Sequence, residues 1–251
     1  DLDSETIDNP LYIPVRCGAV YDERENITML GDDTGDNISE RKYGLCELTV
    51  QYWSWKNVQA DYLGICNYNQ YLSLADKVYK ESSHGLVIDP ALRQELTEEK
   101  YGLSYKQIKS QISEYDVIVA KKTAIQRLQK VTPFEKAKRV QDIIDIFEET
   151  LATPKPSEML QEILEKRHPK LSDIYTQYMR GSDIQLYYTF IMKQDIYDGF
   201  CRFIFDVVAE LERELRSQSY GELRITAFQD IQNILLAVYI EYLRKKGNRV
   251  C

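Results

Sequence analysis

The sequence predicts an α/β fold, and three features predict it. Short uninterrupted apolar runs have the length of buried strands, amphipathic stretches of helical length lie between them, and the composition is that of a chain able to bury a sizeable core. The expected architecture is a mixed, mostly parallel sheet flanked by helices, with a helical insertion at about 123–183 and a helical C-terminal end. The 251 residues fit one domain, 1–251.

Residues 1–43 are rich in Asp, Asn, Gly and Pro, with apolar stretches at Leu11–Val15 and Ile27–Leu30, and read as short pieces around loops. Leu45, Leu48, Tyr52 and Trp55 recur at helical spacing, and Asn57 and Asp61 close that helix. Tyr62–Cys66 is apolar between polar neighbours, which predicts a buried strand whose carboxyl end delivers Asn67, Tyr68, Asn69, Gln70 and Tyr71. A helix is expected over Tyr105–Ser113 and a strand over Val117–Ala120. Thr132-Pro133-Phe134-Glu135 is a capping box with Pro at the first helical position, opening a helix to about Leu151. Pro154 and Pro156 break it, and Ser157 caps another ending near Pro169. Alternation predicts a third strand within Gln185–Met192, and apolar residues spaced at three and four predict two long helices, Asp195–Ser217 and Thr226–Lys246.

The charge balance excludes whole classes of function. With 32 Lys and Arg against 40 Asp and Glu the net charge is −8, so a nucleic-acid-coating role is not expected. No apolar run approaches membrane-spanning length and no signal sequence opens the chain, which predicts a cytoplasmic protein without a transmembrane segment. Five widely spaced cysteines without a Cys-x-x-Cys pair fit reduced thiols. Two distant histidines build no local zinc site, and no Gly-x-Ser-x-Gly elbow is present. Nineteen tyrosines against 7 Phe and 2 Trp suit polar, sugar-stacking clefts as well as core-edge packing.

Two clusters could carry chemistry. Gly31-Asp32-Asp33-Thr34-Gly35-Asp36-Asn37-Ile38-Ser39 could turn carboxylates and backbone N–H groups toward a ligand or divalent ion, or form a solvated Asx-rich loop. Asn67–Tyr71 stands at a strand's carboxyl end, the favoured ligand position in open α/β sheets.

The order Tyr12-Ile13-Pro14-Val15, GDDTGDNIS at 31–39, Cys46-Glu47-Leu48-Thr49, Tyr52-Trp53, Trp55-Lys56-Asn57 and Ala60-Asp61-Tyr62 resembles a bacterial family of GT-A-like glycosyltransferases of capsular and exopolysaccharide biosynthesis. The resemblance resumes at Tyr115–Ile118 and Phe190–Met192. It implies transfer of a sugar from a nucleotide-sugar donor to a bacterial polysaccharide or lipid-linked glycan, at the inner face of the membrane with peripheral contact. Donor binding would fall to Asp32, Asp33, Asp36, Asn37, Asn67, Tyr68, Asn69, Gln70 and Tyr71. Mn or Mg accompanying a UDP-sugar would be held by Asp32, Asp33 and Asp36, while Glu47, Trp53, Trp55, Lys56 and Tyr188 would line the cleft or pack the fold.

The departures from the pattern support an alternative. The family's His-Tyr-Arg-Arg-Tyr run is Asn67-Tyr68-Asn69-Gln70-Tyr71 here, which removes two guanidiniums suited to a diphosphate. Tyr188 replaces an Asn, the Glu-Arg pair of the last helix falls near Asn233 and Ile234, and the family's first strand would lie upstream of Asp1. The alternative is a catalytically degenerate glycosyltransferase-like domain that binds glycan or scaffolds an active partner.

Overall fold

The computed structural model describes residues 10–24, 27–67, 70–77, 79, 85–88, 100–124, 143, 156–217 and 225–251. They fall into two compact units: Asp1–Ala120 with Thr189–Asp198 and Asn248–Cys251, and Lys121–Tyr188 with Gly199–Gly247.

The first unit opens with β1 (Val15–Arg16), paired in parallel with β2 (Leu30–Gly31). The helix expected from Leu45 is two helices, α1 (Lys42–Leu45) and α2 (Leu48–Asn57). Cys46 parts them, at φ 45°, ψ −125°. A Cβ-bearing residue adopts that left-handed φ only under constraint, so the apolar period continues where the backbone cannot.

β3 (Tyr62–Ile65), β6 (Val117–Val119) and β9 (Phe190–Lys193) form a sheet with β9 in the centre, antiparallel to both neighbours. β4 (Gln70–Leu72) and β5 (Leu86–Ile88) form an antiparallel pair. The α/β class stands, but among the described residues four of the five pairings are antiparallel, correcting the mostly parallel expectation. Alternation of helices and strands shows only that helices intervene. A run buried on both faces, such as Val117–Val119, carries no record of which strand lies beside it or of its direction. Gly64 permits the tight β3–β9 approach, since a Cβ there would lie 2.4 Å from the Phe190 carbonyl oxygen. α3 (Tyr105–Ile112) precedes β6, with Ser104 Oγ capping it at the Gln107 amide.

The last residues run beside β6. Val250 bridges Val117 in parallel, and the Asp116 carboxylate accepts from the Arg249 amide (2.8 Å) and pairs with Lys193 (2.7 Å). Lys193 foremost, then the Arg249 amide, pull the Asp116 carboxyl down to about 2. A carboxyl depressed on folding stabilises fully above the ordinary pKa of about 3.9, and that stabilisation is lost as pH falls through the folded value. Urea unfolding should therefore show Asp116→Asn less stable than the native chain at pH 6, the gap narrowing between about pH 4 and pH 2; a gap independent of pH contradicts this pairing.

In the second unit, β7 (Thr123–Ala124) pairs with β8 (Asp183–Ile184), and α4 (Pro156–Arg167) packs with α5 (Pro169–Met179). α5 opens with Pro169 at its first turn, where the reading of the sequence placed an end: Pro both stops one helix and starts the next. α6 (Gln194–Ser217) begins in the first unit, and its apolar face from Phe200 to Leu215 is buried in the second. α7 (Ile225–Lys245) packs against α5 and stacks Tyr239 on Phe203, ring centroids 5.6 Å apart. The helix expected over 132–151 lies outside the described residues, Ile143 excepted. No helix among the described residues is long and apolar enough to cross a membrane.

Candidate functional site

The acidic loop 31–39 is built around Asp32, which is fully buried. Its carboxylate accepts from the backbone N–H groups of Gly18 and Ala19 (both 2.9 Å), Ser39 Oγ (2.6 Å) and Thr49 Oγ1 (2.5 Å). Four donors from three segments satisfy both oxygens, which is how a buried charge becomes tolerable. The tip of the loop closes over α2. Gly35 takes φ 59°, a left-handed turn that glycine adopts freely. Asn57 brackets the turn, donating Nδ2 to the Asp36 carbonyl (2.8 Å) and accepting the Asp36 amide at Oδ1 (3.2 Å). Tyr52 donates to the Asp36 carboxylate, Trp53 Nε1 donates to Thr34 Oγ1, and Asn37 caps the Ser39 amide.

Asp33 and Asp36 are exposed while Asp32 turns inward, so closeness in sequence has not made these carboxylates converge. Among the described residues no group of three or more His, Cys, Asp or Glu side chains is placed to hold a metal ion. The three aspartates therefore do not form the expected ion site, and Asp32 is an anchor of the fold.

At the carboxyl end of β3, Asn67 and Gln70 are half-buried, and the Gln70 amide donates to the Asn67 carbonyl (3.0 Å) in the turn into β4. Tyr68 and Asn69 lie outside the described residues. Tyr71 is corrected from a donor-binding residue to a core residue. It is 2 % exposed, set edge-on to Tyr12 at 5.1 Å and clustered with Val87, Tyr101 and Leu103, because pairing of β4 with β5 turns it inward.

Of the remaining candidates, Trp53 packs inward and Tyr188 packs its ring toward Phe200 (6.3 Å). Trp55 donates its indole N–H to Asp198 (2.7 Å), with the Lys56 ammonium 3.5 Å from its ring centroid.

Glu47 differs from all of these. It stands at the N-cap of α2, directly after the strained Cys46, and its Oε2 is buried with no hydrogen-bond partner among the described residues. It is the one carboxylate oxygen in that state among the described residues. A shielded acceptor without a donor is costly, and strain beside it is a recurring mark of functional sites. Its charge reaches the neighbouring thiols: the Cys46 thiol is pushed up to about 11, by burial first and then by Glu47, and Cys17 is raised mainly by burial. Both thiols are free. The sequence reading named Glu47 only through its motif; no pattern of residue types signals an unpartnered oxygen.

A family model described as "Domain of unknown function (DUF4422)" matches residues 3–246. No curated protein matches. Among solved structures, the apo structure of the WbbM bifunctional glycosyltransferase is similar at a TM-score of 0.80 and 26 % identity, over 99 % of this chain and 42 % of that one. The chain thus spans less than half of that protein's length. The likeness bears out the GT-A-like α/β class.

Proposed function

We propose that this chain, which belongs to the DUF4422 family, is a glycosyltransferase that moves a sugar from a nucleotide-sugar donor to a glycan acceptor, with 1–251 working as one glycosyltransferase-like domain. One observation carries the reading: the likeness to a bifunctional glycosyltransferase extends over 99 % of the chain and is accompanied by 26 % identity. A bacterial capsular or exopolysaccharide acceptor, lipid-linked at the inner face of the membrane, belongs to the same proposal.

The donor diphosphate is assigned to the carboxyl end of β3, where Asn67 and Gln70 offer amide donors to phosphate oxygens, with Tyr68 and Asn69 assigned to the same site from the sequence alone. Glu47 is assigned the acceptor, an assignment that requires its shielded Oε2 to be uncovered when the acceptor binds. In the proposed step its free Oε2 takes the proton of an acceptor hydroxyl as that oxygen bonds to the anomeric carbon. The anomeric carbon's bond to the diphosphate breaks with its electron pair, and the nucleoside diphosphate leaves. The side chains present do not fit a bound Mn or Mg at the acidic loop, so no step passes through one.

The alternative, a degenerate domain that binds glycan without transferring it, is favoured by Asn69 and Gln70 standing where the resembled family has arginines. Thermal unfolding with UDP-, GDP-, dTDP- and CMP-sugars separates the two. A transferase gains stability by linkage, so one nucleotide series should raise Tm by several degrees at millimolar concentration. No shift with any of the four favours the degenerate domain.

A further inference from the structure

The sheet has a second end with a cleft beside it. At the rung where Tyr62 of β3 pairs with Lys193 of β9, the first unit carries a cleft of about 660 Å³, its wall including Trp55, Gln59, Asp61, Tyr62, Gln194 and Asp195. Asn67 follows the other end of the same strand, two residues beyond Ile65 and at most roughly 16 Å from Tyr62 at 3.3 Å per residue.

The lining has a definite chemistry. The indole of Trp55 is fixed at its N–H by Asp198, and the Tyr62 hydroxyl donates to the Tyr115 carbonyl (3.2 Å), so both rings are held. Asp61 and Asp195 are exposed carboxylates, and the side-chain oxygen of Gln194 accepts from the Ala60 N–H (3.2 Å). Lys193, the cation of the lining, is paired with Asp116. The cleft therefore offers aromatic surface beside a surplus of hydrogen-bond acceptors and a net negative charge. A phosphate or uronate would be repelled. A cationic segment would be drawn to the carboxylates but would find the Trp55 ring already carrying the Lys56 ammonium at 3.5 Å. What fits is an uncharged ligand with one apolar face and many hydroxyl donors.

We infer that this cleft is a binding subsite for a neutral sugar segment of a glycan, separate from the Asn67 end. The inference rests on the transferase reading only for the kind of polymer present. A site so far from the donor would grip an acceptor chain behind its growing end, where binding energy fixes the chain without contacting the reacting bond.

The test is a fluorescence titration of the full chain with maltopentaose, galactopentaose and chitopentaose, with pentagalacturonate and pentalysine as charged controls. At least one neutral pentasaccharide should change the tryptophan emission, the change should vanish in Trp55→Phe, and affinity should fall about tenfold in Asp61→Asn with the loss of a charge-assisted hydrogen bond. Asp61 is exposed, so that variant keeps the fold. The inference is overturned if no neutral pentasaccharide acts, if pentalysine alone acts, or if Asp61→Asn binds as well as the native chain. Thermal unfolding of the native chain with UDP, GDP, dTDP and CMP runs alongside. Nucleotide stabilisation without sugar binding overturns the subsite and leaves the transferase reading standing. Sugar binding without nucleotide stabilisation does the reverse.

Discussion

Asp32→Ala is expected to lower unfolding stability by more than about 3 kcal/mol, enough to threaten a domain whose whole margin is about 5–15 kcal/mol. Truncation leaves the Gly18 and Ala19 amides and the Ser39 and Thr49 hydroxyls facing a void. The hydroxyls can rotate toward other acceptors, whereas the two amides belong to a fixed turn and cannot. Asp32→Asn should also destabilise, because its amide nitrogen presents donors to donors. The variant thus separates an anchor from an ion ligand: if Asp32 served only to hold a ligand, Ala in its place would leave the free protein's urea midpoint unchanged or raised.

Glu47→Gln is expected to reduce transfer by about 10²-fold or more while leaving the fold intact. The amide keeps the volume of the carboxylate but cannot take a proton at neutral pH. If the unpartnered Oε2 is where the acceptor hydroxyl binds, the loss falls mainly on kcat, and nucleotide-induced stabilisation survives. Removal of the buried, unpaired charge should leave Tm unchanged or raised, the mark of a residue kept for chemistry rather than stability. Loss of nucleotide binding in step with transfer would place Glu47 on the donor instead.

Much of the fold was legible because hydrophobic period survives any change of neighbour. Tyr62–Ile65, Val117–Val119, Tyr105–Ile112 and the two long C-terminal helices stand within a residue or two of their expected positions. What was not legible depends on partners distant in sequence. The direction of β9 is set by the strands it enters between, and the inward turn of Tyr71 by β5, whose Val87 pairs with it from sixteen residues further along the chain. The break at Cys46 hides beneath an unbroken apolar spacing. At the candidate site, composition identified the acidic loop but could not tell an anchor from a ligand, since one buried Asp and two exposed ones read alike. Trp55 and its cleft were half-legible: the motif named the indole, and only the β3–β9 pairing brought Asp195 and Gln194 beside it.

The central claim is that the chain transfers sugar with Glu47 as the group that accepts the proton. Its most direct test is the release of nucleoside diphosphate from a panel of nucleotide sugars, with glycan acceptors present, by the native chain and by Glu47→Gln side by side. Acceptor-dependent release by the native chain, reduced about 10²-fold in Glu47→Gln, is the predicted result. Nucleotide binding without acceptor-dependent release, or equal release by both proteins, would contradict it.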